Sequence, residues 1–443
     1  MNPWYTKDEI THAVKIGKPT YVICSYTAFK THKKVFHQRI KNIIIYGTER
    51  ARNTILFNDL VQPESSFNFV KNNVENNVGK NVARLKANVK YEEFVPVDVF
   101  GQEDTAFVLY SSGTTGMSKG VALTHHNVIS LCAAVPIQFS EGIVLGVGPW
   151  FHAMGLMGTI SGFADHKTFA YIPKFEINVF LDVIEKYKTS MLFAAPAVFV
   201  ALLKQKVVHD VSSVTRILTG AAPLHPDVMD EIRIIFPNLE FFRLGYGMTE
   251  TSLAVTRNYV VDNKLLRSGT VGTLLPNLTL KVIDERHQPL GPNQKGEICV
   301  KGDVLMKGYL GASASPLDEE GFFLTGDLGY YDEDGHLFVV DRLKELIKYK
   351  GNQVPPAEIE AVLIQHKAVK EVGVVGLKDK EAGQLPLAFV VLQPGVTATE
   401  KELQDFVAEK LSSPKHLRGG VRFIPEIPRN TTGKILRNVL NKM

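Results

Sequence analysis

The chain has 443 residues, 45% of them hydrophobic, and 50 Lys and Arg against 46 Asp and Glu give a formal charge of +4. That length supports two or three cores, so a large domain with a smaller companion is expected, and acids interspersed with bases leave no basic stripe for nucleic acid. Three distant cysteines, Cys24, Cys132 and Cys299, form no CxxC pair, which argues against a disulfide frame or a zinc site and fits a reducing compartment.

The chain opens on MNPWYTKDEI, which lacks the basic-then-apolar pattern of a secretory signal. Apolar runs PTYVICS, IKNIIIYG and TAFVLYS then read as strands, and amphipathic stretches such as Val179 to Lys188 and Ala197 to Gln205 read as helices. Their alternation predicts an α/β fold. Straight after TAFVLY comes YSSGTTGMSKGV, Tyr110 to Val121, a loop of glycines, hydroxyls and one lysine. Its glycines admit an anion close to backbone N–H groups, Ser111, Ser112, Thr114 and Thr115 add donors, and Lys119 adds a mobile cation, so polyphosphate is its natural guest. The Walker spacing is absent, because Lys119 precedes a glycine and no Ser or Thr follows it.

Gly142 to Ala164 carries no charged residue and is long enough to cross a bilayer, yet it holds six glycines, Pro149 and His152 between Glu141 and Asp165. Buried strand and turn structure is the expectation, and no transmembrane segment. Further on, TGAAPL, residues 219 to 224, is a small-residue turn against which a planar ring could lie. GYGMTE, Gly245 to Glu250, offers Tyr246 for stacking on a base, Thr249 for a phosphate oxygen and Glu250 as a hard oxygen ligand for magnesium, although a glycine-rich turn with a packed tyrosine is the plain alternative. In TGDLGYYDEDG, Asp327 sits beside Gly326, where a short carboxylate can accept from both hydroxyls of a ribose or serve as an ordinary turn aspartate. Arg342 could reach the same sugar.

The texture changes near residue 340. Charged residues from Asp341 to Lys350 read as a linker, so the domains are expected at 1–341 and 342–443. PPAEIEAVLIQH follows, with Ile359, Val362 and Leu363 on one helical face, then the strand-like VKEVGVVGL and PLAFVVLQ, and a helix announced by Thr399 with Glu402 three residues on. PRNTTGKIL, residues 428 to 436, presents Lys434 from a turn near the end. No internal repeat is visible.

Taken in order, YSSGTTGMSKG, TGAAPL, GYGMTE, TGD, DRLKELIKYKG and PRNTTGK resemble the motif series of the adenylate-forming superfamily, which includes acyl-CoA synthetases, 4-coumarate:CoA ligases and beetle luciferases. LRGGVRF and GNQVPPAEIE extend the similarity. The resemblance implies a large domain of layered sheets and helices, entered partway through in this chain, and a small α+β lid joined by a hinge. A domain so truncated would expose a sheet edge and apolar faces.

The implied reaction has two steps. A carboxylate attacks the α-phosphate of ATP to give acyl-AMP and pyrophosphate, and the thiol of coenzyme A then displaces AMP. The nucleotide residues matched by the motifs are Ser111, Ser112, Gly113, Thr114, Thr115, Gly116 and Lys119, with Gly220, Ala221, Ala222, Gly245, Tyr246, Gly247, Thr249, Asp327 and Arg342. Lys434 matches the adenylation lysine, Glu250 would hold Mg2+, and His152 matches a histidine at the acyl site, a role that rests on the resemblance because as bare sequence it reads more readily as a core histidine. Lys344 matches the hinge, after whose turn Lys348 would face the site. Ser118 stands where the family usually has proline, which would loosen the loop while keeping its donors.

Leu131, Ala221 and Leu253 stand where beetle luciferases carry Arg, Gly and Ser, so a fatty or simple aromatic (4-coumarate-like) acid is expected ahead of light emission, with a luciferase-like monooxygenase as an alternative. A catalytically poor, truncated paralogue that binds nucleotide or acyl ligand is the rival reading. The final Asn441-Lys442-Met443 partly resembles a peroxisomal address, leaving peroxisome and cytoplasm both open.

Overall fold

Thr6 opens the first helix, α1 (Lys7–Gly17), with a reciprocal cap: its hydroxyl accepts from the Glu9 amide at 3.3 Å and the Glu9 carboxylate accepts from the Thr6 amide at 2.7 Å. In the computed structural model the described residues are 1, 5–49, 51–61, 97–111, 118–134, 142–172, 175–222, 224, 226–257, 269–429 and 435–443. Ser112, Gly113, Thr114, Thr115, Gly116 and Lys434 lie outside them. Two compact units divide the chain, one of Met1–His126 with Met306–Ala314, the other of Asn127–Leu305 with Ser315–Met443.

In the first unit, β1 (Tyr21–Ser25), β2 (Asn42–Tyr46) and β3 (Ile55–Leu56) form a parallel sheet connected by α2 (Tyr26–Arg39), with α3 (Phe57–Val61) after β3. Ile43 and Ile45 alternate onto the face that meets Ile10 and Val14 of α1 and Phe29 and Phe36 of α2. The opposite face leaves Tyr21 and Ile23 exposed, at 47% and 60%. A hairpin of β4 (Thr105–Ser111) and β5 (Lys119–Thr124) completes the unit, and Gly308–Tyr309 returns from far along the chain to pair with β5. The Tyr110 hydroxyl donates to the Ala13 carbonyl at 2.9 Å and ties the hairpin to α1.

The second unit takes up most of α4 (His125–Ala134) and then alternates: β6 (Ile143–Gly146), α5 (Ala153–Ala164), β7 (Thr168–Tyr171), α6 (Ile177–Tyr187), β8 (Met191–Phe193), α7 (Pro196–Leu203), β9 (Arg216–Gly220), α8 (Pro226–Ile235) and β10 (Phe241–Gly245). All five strands are parallel, in the order β10-β9-β8-β6-β7. The uncharged stretch from Gly142 to Ala164 thus resolves into β6, a turn and the 12-residue α5, and among the described residues no helix is long and apolar enough to cross a membrane.

An antiparallel sheet follows, built from β11 (Leu278–Ile283), β12 (Pro289–Leu290), β13 (Gly296–Gly302), β14 (Phe323–Tyr331) and β15 (Leu337–Arg342) in the order β12-β11-β13-β14-β15. Beyond it, β16 (Ile347–Tyr349), β17 (Asn352–Val354), β18 (Val369–Asp379), β19 (Gly383–Leu392) and β20 (Gly420–Phe423) make a mixed sheet accompanied by α9 (Pro356–Leu363), α10 (Glu400–Lys410) and α11 (Arg437–Leu440). Period-two alternation serves both faces of this sheet. Val374, Ala388 and Val390 pack with Ile359, Leu363, Leu403 and Val407, whereas Val375, Leu387, Phe389 and Val391 pack with Ile427 and Leu440. Thr399 caps α10 by accepting from the Glu402 amide at 3.1 Å, but the Glu402 carboxylate lies 3.4 Å from His366 Nε2, so only half of the expected capping box forms.

Candidate active site

Two glycines lie side by side where β9 and β10 end. Gly220 and Gly245 are register partners, and a Cβ on Gly220 would stand 2.8 Å from the Gly245 carbonyl oxygen, so only glycine lets the strands end flush there. Ala221 follows at φ 71, with Ala222 exposed beside it, giving the small-residue surface that TGAAPL suggested.

The next turn is tightly pinned at its neck. The Tyr246 amide donates to Thr256 Oγ1 at 3.1 Å, and the amides of Val255 and Thr256 donate back to the Tyr246 carbonyl. Gly247 passes so close to the returning chain that a Cβ would meet the Leu253 carbonyl oxygen at 1.9 Å. Thr249, Glu250 and Thr251 form a three-residue 3-10 turn, and Ser252 after it holds φ 59 while its hydroxyl donates to the Val304 carbonyl at 2.7 Å. Backbone strain of this kind costs on the order of 1–3 kcal/mol and persists only where surrounding bonds over-determine it.

Against this turn stands a buried polar chain. The Tyr246 hydroxyl donates to Asp327 Oδ2 at 2.7 Å, and Arg342 Nε donates to Asp327 Oδ1 at 2.7 Å. Asp327 and Arg342 are cross-strand partners on β14 and β15, Gly326 at φ 72 bends the chain just before the aspartate, and the Thr325 hydroxyl accepts from the Asp327 amide. Burial first, then the Asp327 charge, push the Tyr246 hydroxyl well above the usual phenol range, so it stays a donor.

His152 precedes α5 as its N-cap residue without a side-chain cap bond. Burial drives its imidazole down to about 4, so the ring is neutral, and Nε2 is buried with no hydrogen-bond partner among the described residues. Residues of α5 and of the parallel sheet, including Gly158, Val144, Met191, Phe193 and Leu218, enclose an apolar cavity of about 30 Å³ together with Leu253. Of the expected acyl-pocket residues besides His152, Leu253 lines this cavity, Leu131 is wholly buried in α4, and Ala221 is on the exposed turn.

In the first unit, Ser111 and Lys119 face each other across the β4–β5 hairpin, with Lys119 Nζ 4.6 Å from the centre of the Tyr309 ring. His12 Nε2 donates to the Ser118 carbonyl at 3.0 Å, so the residue in the proline's place is anchored rather than loose. In the second unit Lys344 occupies the turn Leu343–Glu345 between β15 and β16, and Lys348 is exposed on β16 with its amide donating to Gln384.

Two family profiles match: that described as AMP-binding enzyme over residues 1–310, and that described as AMP-binding enzyme C-terminal domain over residues 358–434. The chain belongs to the AMP-binding enzyme family. Within the family it is 39% identical to luciferin 4-monooxygenase of Nipponoluciola cruciata, covering all of this chain and 80% of that protein. It is 38% identical to a probable 4-coumarate–CoA ligase 2 of Dictyostelium discoideum, covering 99% of this chain and 80% of that one. Among solved structures, ATP-bound MatB from Rhodopseudomonas palustris superposes with a TM-score of 0.82 at 26% identity, covering 100% of this chain and 82% of that one. The o-succinylbenzoate coenzyme A synthetase MenE of Bacillus subtilis, with ATP and a magnesium ion, gives 0.75 at 27%, covering 98% and 82%.

Several side chains here escaped the sequence reading. Arg243 is buried on β10 beside the Phe241 ring, where burial brings its guanidinium down to about 10, and a lone arginine in FFRLG was the signal. Arg437 clasps two glutamates, and Gly158 and Phe193 shape the cavity. Nothing in a single sequence marks those three.

Proposed function

We propose that this family member is an ATP-dependent acid:CoA ligase. A carboxylate oxygen attacks the α-phosphorus of ATP, the bond to the bridging oxygen of the β-phosphate breaks, and pyrophosphate leaves. The sulfur of coenzyme A then attacks the acyl carbonyl, and the C–O bond to the phosphate breaks to free AMP. The Tyr246–Asp327–Arg342 chain carries the reading, because a buried carboxylate bonded to Tyr246 and Arg342 beside a flush glycine turn suits a ribose lying next to a planar base.

The remaining roles follow from charge. Lys434 stabilises negative charge shared between the acid and the α-phosphate, Thr249 donates to a phosphate oxygen, and Lys119 with Ser111, Ser112, Gly113, Thr114, Thr115 and Gly116 receives the leaving pyrophosphate. Glu250 and the hydroxyl of Thr249 are hard oxygen donors on one short turn, a set that fits magnesium, and the ion would supply charge neutralisation of the phosphates. Neutral His152 borders the acid without repelling or trapping its charge. Residues 342–443 form the mobile part, turning about Lys344 to exchange Lys434 for Lys348 between the two steps.

Pyrophosphate release with ATP, magnesium and a panel of carboxylic acids tests the reading, followed by acyl-CoA formation when coenzyme A is added. AMP binding without release from any acid would make the protein a nucleotide-binding paralogue instead.

A further inference from the structure

The cavity beneath α5 sits at a defined place in the sheet. From β6 the chain proceeds to β7 on one side and to β8 on the other, so the order β10-β9-β8-β6-β7 reverses between β6 and β8. Open parallel sheets take ligands at the carboxyl ends of their strands at such a switch point. The cavity runs along the sheet face from Met191, the first residue of β8, to Phe193, its last, and Val144 of β6 and Leu253 from the turn that follows Glu250 line it as well.

Gly158 on α5 determines where the Phe193 ring lies. A Cβ built on Gly158 would stand 2.3 Å from Phe193 Cε1 and 3.0 Å from Cζ, so the ring occupies the space of the missing side chain. What remains is the cavity of about 30 Å³. By the same measure a water needs about 10–15 Å³, so the space takes about two small groups and no long chain. Its walls are almost entirely apolar, and the Ser161 hydroxyl donates to Cys132 Sγ.

We propose that Phe193, seated in the notch left by Gly158, is a specificity-determining residue that restricts this protein to carboxylic acids with a compact apolar tail of a few carbons. The proposal rests on the ligase reading and narrows its acid: long fatty tails and cinnamic rings are excluded by the ring of Phe193. Replacing that ring with a methyl group deepens the pocket.

The test is acyl-CoA formation by the full chain with butyrate, octanoate and cinnamate, for wild type, Phe193→Ala, Gly158→Ala and the double variant. Wild type is expected to prefer butyrate. Phe193→Ala is expected to raise the octanoate-to-butyrate ratio of kcat/KM at least about 10-fold, the discrimination that a few methylenes give in an apolar pocket. Gly158→Ala, which forces a methyl against the ring, is expected to lower activity with every acid, and Phe193→Ala in the same chain to restore it. The KM for ATP and the thermal unfolding of Phe193→Ala serve as controls for the fold. An unchanged ranking of acids in a folded Phe193→Ala, or wild type turning over octanoate or cinnamate as well as butyrate, overturns the proposal while the ligase reading stands. No pyrophosphate from any acid overturns both.

Discussion

The bonds that Tyr246 and Arg342 make to Asp327 differ in what their loss exposes. Tyr246→Phe keeps the ring but strips a donor from a carboxylate that is only 3% exposed, which costs about 1–3 kcal/mol of stability, read by urea unfolding. Asp327→Asn removes the charge opposite Arg342 and is expected to raise the KM for ATP at least about 10-fold, as loss of a charged hydrogen bond to a sugar hydroxyl implies. His152 gives a pH signature. Its folded-state pKa of about 4 lies below the usual 6.5, so the unfolded chain binds the proton more readily between these values and stability rises with pH across that window. Buried Asp341 acts with the opposite sign: burial lifts its carboxyl from 3.8 to about 6, against the pull of backbone amides and Arg437 and with the push of Glu360, so its contribution falls as pH rises over nearly the same range. The measurement is therefore the stability difference between wild type and His152→Gln, expected to grow from pH 4 to 6.5 by on the order of 2–3 kcal/mol. Gly247 of GYGMTE was readable because a returning chain that passes so close admits no Cβ. The state of His152 was not, since it depends on neighbours brought from elsewhere in the chain.

Short segments that depend on one another are held by Arg437. Its Nε lies 3.1 Å from Glu345 in the turn after β15, while its two terminal nitrogens donate to Glu360 of α9 at 2.8 and 3.1 Å. Glu360 also accepts from the Val374 amide of β18, so α11, α9, β18 and the turn containing Lys344 share one buried ionic knot. Arg437→Ala leaves two carboxylates, each about five-sixths buried, without their cation, and breaking such a pair costs about 3–5 kcal/mol. Urea unfolding of Arg437→Ala against Arg437→Lys checks this: lysine keeps the charge but loses the fork, and is expected to recover part of the loss. Helices with a clear apolar face, such as α9 through Ile359, Val362 and Leu363, are legible in the amino-acid order alone. The Arg437 knot is not, because periodicity reports which face is buried and says nothing of which charges meet there.

Motif order predicted the family, but the division into compact units has no counterpart in the local sequence. Met306–Ala314 leaves the second unit to pair Gly308–Tyr309 with β5, and neither composition nor turn chemistry announces a return over so many residues. The proposed motion of residues 342–443 involves the chain as a working whole, and its geometry places the burden on one position. Lys344 is exposed in a three-residue 3-10 turn, and everything from β16 onward must rotate about it if Lys434 and Lys348 are to serve in turn. Proline at that position fixes φ near −65°, which suits a 3-10 turn and forbids a large change. Lys344→Pro should therefore hold the protein in the present arrangement without unfolding it. Single-turnover measurements separate the half-reactions: acyl-AMP formed from ATP and acid, and acyl-AMP consumed by coenzyme A. One is expected to stay within about 2-fold of wild type while the other falls about 100-fold or more, because a domain that cannot turn presents one set of side chains only. Equal losses in both steps would show that the two lysines need no exchange, and the hinge would then be an ordinary connection between sheets.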